Sequence, residues 1–327
     1  MKSKLTPLVF LSLLLFSTTA AAATLKIATL SPDGTTWMKK MRGAAKEIAT
    51  RTDNRVKIKF YPGGVMGNEN AILRKMRINQ LQGAAVSSGA LDRYYNDTGI
   101  YSMPFLFNSH DEVLYVRKKM DPLIIKGLET GGLISFGVAE SGFAYILSNK
   151  PIKDVADARK QKIWIPDTDS SRNAAQAFNL KPTPLPFSDV LAALQTNLVN
   201  TIAISPLASI ALQWHTQVKY LTDMPLLYGW GTLVISKRAI NKLPQADRTI
   251  VNEVMRRTFK EIDLQNQKDN IAAMAALKSQ GITFIEPDNK HIAEWKRLAK
   301  LSQINLVDKG LNSKKMYDLI TQYIAEY

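Results

Sequence analysis

Histidine and acidic side chains are the first candidates for chemistry in this 327-residue chain. His110, His215 and His291 are scattered, and none stands in an HExxH or other metal-ligand spacing. Asp167 and Asp169 are close enough in sequence to suggest an acid–base pair. Acids this close together in a loop are more commonly solvated surface groups. The pattern therefore predicts no metal site and no catalytic residue here.

Two further segments invite a chemical interpretation. Glu140 stands beside Ser141, a pairing that we also interpret as a solvated acid next to a hydroxyl. Residues 61–67 (YPGGVMG) are glycine-rich but lack the lysine and hydroxyl of a phosphate loop. No GxSxG or GxGxxG motif occurs in the chain. We therefore expect neither an enzyme nor a bound cofactor.

Alternating strands and helices must position whatever site the chain has. Residues 25–30 and 56–60 alternate in hydrophobicity as half-buried strands do. Residues 36–50 and 69–79 carry helical spacing, and a glycine-containing turn follows each of the two strands. This order is typical of an α/β sheet with crossover helices.

A second unit of the same kind follows the first. It contains predicted strands or extended segments at 162–165, 182–187 and 201–204, and predicted helices at 171–178, 190–198 and 207–215. The chain therefore has two α/β units, which its length readily accommodates.

Two long elements are expected to join these units. Residues 226–236 predict a strand that crosses between lobes, and Pro244 opens a helical pattern that runs to Gln280 and stops at Gly281. A helix of that length would measure roughly 50 Å, more than the width of one small domain. We predict that residues 24–141 and 230–269 form lobe I, and that residues 142–229 and 270–327 form lobe II. The crossings favour a hinge.

The N-terminus and composition indicate an exported protein. Residues 1–23 contain two lysines, an apolar block and a run of alanines, as secretory signal peptides do. The chain has no cysteine, which suits the oxidising periplasm. Its formal net charge of +15 would suit an anionic partner. Nucleic acid is not expected, because export removes it and no basic run is interleaved with aromatic residues.

Seven segments in a fixed order carry a resemblance to a known family. They are 61–64 (YPGG), 103–107 (MPFLF), 148–152 (SNKPI), 162–166 (KIWIP), 182–188 (PTPLPFS), 193–196 (ALQT) and 234–237 (VISK). Together they resemble the DctP-type extracytoplasmic solute receptors of TRAP transporters over nearly the whole mature chain.

The resemblance implies a two-lobed α/β periplasmic-binding-protein fold with an inter-lobe cleft, crossing strands and a long lobe-spanning helix. It also implies a periplasmic receptor that delivers a small organic solute, typically an organic acid, to one small and one large membrane subunit. That delivery would be driven by an ion gradient.

Three positions depart from the family pattern. Family members usually carry an arginine where this chain has Trp164, and many carry another where it has Ala144, after Gly142. A guanidinium at such a position grips a ligand carboxylate with two parallel hydrogen bonds. A third family motif corresponds to the apolar segment 200–206. We therefore expect C4-dicarboxylates to bind weakly and the ligand to be more apolar, or its carboxylate to be held in another way.

The residues left to line the cleft are aromatic or small and polar. The predicted ligand-binding set is Trp164, Tyr145, Phe143, Trp230, Tyr228, Trp214, Ser88, Ser87, Asn68, Glu69, Ser205 and Arg172. Aromatic walls suit ligands with apolar faces, although ordinary packing is the alternative for Trp214 and Phe143. Arg172 is the leading candidate for an anion anchor, followed by Arg74 and Arg93. A ligand sensor that signals to a membrane protein is the alternative function.

Overall fold

The computed structural model describes residues 22–327. The predicted signal peptide therefore lies outside the described residues, except for Ala22 and Ala23. The strands are β1 (Ala23–Thr29), β2 (Val56–Tyr61), β3 (Gly83–Ser87), β4 (Leu133–Ser135), β5 (Ala139–Ser148), β6 (Trp164–Ile165), β7 (Thr183–Pro184), β8 (Thr201–Ile204), β9 (Tyr220–Ser236) and β10 (Thr283–Ile285). The helices are α1 (Thr36–Arg51), α2 (Glu69–Arg77), α3 (His110–Thr130), α4 (Val155–Arg159), α5 (Asp169–Ala177), α6 (Val190–Gln195), α7 (Pro206–Ala211), α8 (Lys237–Ile240), α9 (Gln245–Ser279), α10 (Asn289–Asp308) and α11 (Lys314–Glu326).

Helices that follow the strands begin at side-chain caps. Thr35, Asn68, Thr168 and Ser205 each accept a hydrogen bond from a backbone N–H in the first turn of α1, α2, α5 and α7. Such a cap satisfies a donor that the helix itself leaves unpaired. The caps fix where each helix starts, and so fix the loop between strand and helix.

One large sheet runs through both lobes in the order β2-β1-β3-β9-β5-β8. Lobe I is built on β1 to β4, with β1 parallel to β2 and β3. Lobe II is built on β8, β10 and the parallel pair β6–β7. The 17-residue strand β9 pairs with β3 and β4 near its end and with β10 near its start. β9 and its antiparallel partner β5 are therefore the crossing strands.

Helices cover both faces of the sheet in each lobe. On β1, Ala28 and Ile27 belong to different apolar clusters on opposite faces. On β5, Ile146 and Leu147 do the same in lobe II. This layering confirms the predicted α/β fold, in which strands buried on both faces read as apolar runs.

The 35-residue helix α9 spans the two lobes, as predicted. Phe259, near its middle, packs in a lobe I cluster, and Leu277, near its end, packs in a lobe II cluster. The helix begins directly after Pro244 and ends before Gly281, which has a φ of +90°. Proline before a helix and glycine after it are the expected boundary signals.

The chain crosses between lobes more often than the predicted division allows. Residues 270–327 were assigned to lobe II, but Met316 and Ile320 of α11 pack with Ala28 in a lobe I cluster. Trp295 of α10 lies in a lobe II cluster, so α10 leads the chain back. The apolar stripe of α11 predicts an amphipathic helix but does not specify which lobe covers it.

Gly142 is required where β5 leaves lobe I. Its φ is +94°, and a Cβ at this position would lie 2.5 Å from Nδ2 of Asn270. The pairing of β5 with β9 is irregular between Glu140 and Gly142. Backbone conformation and close packing of α9 therefore both exclude a side chain here.

We expect Gly142→Ala to lower the free energy of unfolding by roughly 1–3 kcal/mol, because the left-handed backbone is strained for alanine. Gly281→Ala is the matched control, since Gly281 has a similar φ of +90° but open space around it. Chemical unfolding of both variants should show the larger loss for Gly142→Ala. Equal losses would mean that the contact with Asn270 contributes nothing.

Candidate functional site

The carboxyl ends of the strands in both lobes point towards the place where β5 and β9 cross. β3 ends at Ser87, which pairs with Gly231 on β9. β8 ends at Ile204, which pairs with Tyr145 on β5. In open α/β sheets, ligands bind in the crevice beyond the carboxyl ends of the strands. The candidate site is therefore the cleft between the lobes, with Ser87, Ser141 and Ser205 near its floor.

The rims of the two lobes lie close together in this structure. A Cβ built on Gly89 of lobe I would lie 3.7 Å from Cγ2 of Thr168, the cap of α5 in lobe II. At the floor, the hydroxyl oxygens of Ser141 and Ser205 share a hydrogen bond of 2.9 Å. The contacts at rim and floor show that the cleft is narrow.

Four of the predicted polar residues lie in lobe I. The Glu69 carboxylate accepts hydrogen bonds from the Ser87 backbone N–H at 2.6 Å and from its hydroxyl at 2.9 Å. Burial raises the pKa of Glu69. Asn68 caps α2 beside it, and Ser88 is buried. This group can accept or donate hydrogen bonds, but Glu69, Ser87 and Asn68 already have structural partners.

The polar residues predicted in lobe II are also engaged within the protein. Ser205 accepts a hydrogen bond from the Ala208 N–H at 3.3 Å and so caps α7. Arg172 forms an ion pair with Asp167. It lines a shallow depression of about 280 Å³ that is formed by lobe II alone. Arg172 is thus already engaged in this structure, and its role as an anion anchor stays a prediction.

The aromatic residues predicted in lobe II lie in its core. The Trp164 side chain is 1% exposed, and its ring centroid lies 5.0 Å from that of Phe187 and 5.2 Å from that of Trp214. Its indole N–H donates a 2.9 Å hydrogen bond to the Leu185 carbonyl oxygen. Tyr145 is partly buried against the same cluster. In this structure neither the ring nor the N–H of Trp164 is free to meet a ligand.

The remaining predicted aromatic residues form a second cluster at the hinge. Phe143 packs edge-on against Tyr228 with ring centroids 5.6 Å apart. Tyr228 is 0% and Trp230 is 2% exposed, and the indole N–H of Trp230 donates to the Thr98 carbonyl oxygen at 3.1 Å. The six predicted aromatic side chains therefore divide between two cores and do not form one cleft wall. Large apolar side chains on strands buried on both faces favour the core.

Sequence reasoning missed a buried polar network at the hinge. Arg117 of α3 is 5% exposed and donates to the carboxylate of Asp263 at 3.0 Å and to the Tyr228 hydroxyl at 3.0 Å. Tyr228 in turn donates to Glu140 at 2.9 Å, and Nε2 of His110 lies 2.7 Å from the same carboxylate oxygen. Glu140, interpreted above as a solvated acid, is 2% exposed. Buried charges of this kind require partners.

Helix α9 fixes the backbone of β5 beside this network. Asp263 accepts from the Glu140 N–H at 2.8 Å, Asn266 donates to the Glu140 carbonyl at 2.7 Å, and Asn270 donates to the Ser141 carbonyl at 2.9 Å. These three side chains lie at helical spacing on one face of α9. That spacing was the available sequence signal, but polar residues so placed usually indicate a solvated face.

Other classes of site find no support in the described part of the chain. Across residues 22–327, His, Asp and Glu side chains form no group of three or more that could hold a metal ion. The helices found there are each too short or too polar to cross a bilayer.

We expect Trp164→Ala to destabilise the protein by about 3–5 kcal/mol, the usual cost of removing a buried tryptophan. Trp37 on α1 is only partly buried, so Trp37→Ala should cost less. Denaturant unfolding would measure both. If Trp164→Ala unfolds like the parent, the ring is not part of the core and its predicted role in ligand contact regains support.

His110 should make stability depend on pH. Its hydrogen bond to Glu140 raises its pKa above the ordinary value of 6.5. The stabilisation is therefore complete below pH 6.5 and is lost as the pH rises through the raised pKa. His110→Gln should lower the free energy of unfolding more at pH 6 than at pH 9.

Lys118→Gln, which removes an exposed charge from the same helix, is the control and should leave the pH dependence unchanged. If His110→Gln lowers the free energy of unfolding by the same amount at every pH, the ion pair does not contribute to the pH dependence.

Comparison with known proteins agrees with the geometry of the fold. The family model for "bacterial extracellular solute-binding protein, family 7" matches residues 27–303. A solute-binding protein of Verminephrobacter eiseniae is 26% identical over 267 residues, which is 80% of this chain and 77% of the relative.

Solved structures share the fold at low sequence identity. The sugar-acid-binding protein DctPAm from Advenella mimigardefordensis, in complex with galactonate, superposes with a TM-score of 0.86 at 16% identity and covers 94% of this chain and 99% of its own. A TRAP periplasmic solute-binding protein from Shewanella oneidensis with bound succinate gives 0.84 at 17% identity, covering 93% and 99%. The family model spans most of the chain, so this protein belongs to the bacterial extracellular solute-binding proteins of family 7.

Proposed function

We propose that this solute-binding receptor captures a small, hydroxyl-bearing organic acid in the cleft between its lobes. The observation that carries the proposal is the convergence of strand ends from both lobes on one hinge, where β3 ends opposite Gly231 and β8 ends opposite Tyr145. A solute held there touches both lobes, so its binding energy favours their closure.

The chemistry of the floor supports hydroxyl-bearing ligands over apolar ones. Ser87, Ser141 and Ser205 supply hydroxyl groups, and Glu69 is a partly buried acceptor bound to Ser87. Four of the six predicted rings are buried in the cores, and Phe143 and Tyr145 are partly buried against them. The galactonate bound by DctPAm is an acid of the proposed class.

The predicted weakness of dicarboxylate binding also gains a structural basis. Trp164 is 1% and Ala144 is 4% exposed, so the two positions that could carry a guanidinium are closed. A carboxylate that enters a partly desolvated cleft without a charged partner loses hydration without full compensation.

Delivery to membrane subunits completes the proposed function. We infer that the receptor hands its solute to the small and large subunits of a TRAP-type transporter in the periplasm. The family match and the apolar N-terminal leader support this role. Binding and release by lobe movement need no catalytic group.

Calorimetry with galactonate and succinate tests the ligand class. We expect galactonate to bind at least about tenfold more tightly, equivalent to about 1.4 kcal/mol, because its hydroxyl groups can pair with the floor. Mass spectrometry of solute released from purified protein provides an independent check. Succinate binding as tight as that of galactonate would contradict the missing carboxylate grip, and a released solute without hydroxyl groups would contradict the proposed class.

A further inference from the structure

Asp92 lies on the rim of lobe I, where the two lobes approach each other. It stands between two short 3₁₀ turns, Ser88–Leu91 and Asn96–Ser102, that follow β3. The Thr98 hydroxyl donates to its carboxylate at 3.1 Å. The residue is partly buried, although carboxylates usually lie in water.

The first turn of α5 faces Asp92 from lobe II. The Ser170 hydroxyl and the Asp169 carboxylate are close enough to act on the Asp92 carboxylate. The approach of Gly89 to Thr168 shows that the same segments meet beside it. Asp92 therefore belongs to a contact between lobes, and opening the cleft would return it to water.

No neighbouring cation is placed to neutralise Asp92 among the described residues that act on it. The charged group of α5 that acts on Asp92 is Asp169, which is also negative and therefore repels it. Arg172, further along α5, is paired with Asp167. On the lobe I side, Arg93 is exposed and Asp97 is bound to the Ser313 N–H and hydroxyl.

Burial and the Asp169 charge both oppose ionisation. Burial, the larger cause, raises the pKa of Asp92 from 3.8 to about 6, against the lowering effect of the Thr98 and Ser170 hydroxyls. A carboxyl whose pKa is raised by its surroundings is more stable there in the protonated form. The contact is therefore most stable below pH 3.8 and loses stability as the pH rises through about 6.

We propose that Asp92 is a positioning residue that sets the equilibrium between open and closed lobes: its neutral form favours the closed cleft, and its ionised form favours the open one. The proposal rests on the lobe closure of the proposed function but not on the identity of the solute. Ionised Asp92 would keep the empty receptor open, so that closure requires a ligand.

The absence of cysteine allows a direct test on the solute-free protein. Lys46→Cys on α1 and Gln195→Cys on α6 introduce one exposed thiol into each lobe for spin labels. Pulsed electron paramagnetic resonance then measures the distance between the labels. We expect the ratio of closed to open molecules to rise about tenfold from pH 7.5 to pH 5.

Three variants identify the group responsible. Asp92→Asn retains an oxygen to accept from Thr98, and should give a mainly closed protein with no pH dependence over this range. Asp169→Asn removes the repelling charge and should move the transition to lower pH. Asp33→Asn changes an exposed acid of lobe I that pairs with exposed Arg42, and should behave like the parent.

The proposal is overturned if the parent shows no change in distance between pH 5 and 7.5, or if Asp92→Asn retains the parent profile. Because no solute is added, either result is independent of the calorimetry with galactonate and succinate. Weak binding of both solutes would likewise leave the distance measurements unaffected.

Discussion

The anchoring of β5 by α9 is the constraint on which the two-lobed arrangement depends. Side chains of Asp263, Asn266 and Asn270 hold the backbone of β5 at Glu140 and Ser141. An irregular strand pairing leaves backbone groups that need partners, and one helix supplies them. The pivot between lobes is thus fixed to a helix that itself runs through both.

The network around Arg117 gives the same pivot a rigid base in lobe I. Arg117 joins α3 to α9 through Asp263, and to β9 through Tyr228. Removal of one partner from such a network leaves a buried charge without compensation, which is far costlier than the pair is stabilising. Beyond the network, near Gly142 and Gly229, side chains are absent and the pairing of β5 with β9 shifts.

Sequence patterns predicted those parts of the fold that local physics determines. Residues 201–204 and α9 were placed almost to the residue, because a short apolar run between turns and a proline–glycine boundary are local signals. The lobe against which α11 packs was not predicted correctly, because an apolar stripe on a helix does not determine which surface it packs against. The partners of Glu140 were missed because they lie on α3, β9 and α9, far apart in the chain.

Trp164 shows why the candidate site was harder to predict than the fold. A tryptophan where the resemblance implies a cleft arginine predicts an aromatic ligand wall, whereas the structure places its ring in the core of lobe II. Packing against Trp214 and Phe187 removes the ring from water, and the Leu185 carbonyl satisfies its N–H. Burial of the ring and pairing of its N–H stabilise lobe II.

A cleft without the guanidinium that the family resemblance implies would discriminate between solutes in another way. A neutral hydrogen bond contributes about 0.5–1.5 kcal/mol, whereas one to a charged group contributes about 1.5–3 kcal/mol. Several hydroxyl groups must then act together to replace one guanidinium, and each must meet its own partner. If the cleft holds a hydroxyl-bearing acid as proposed, its selectivity would depend on the number and placement of hydroxyl groups on the solute, because a site with buried polar groups rejects ligands that leave those groups unpaired.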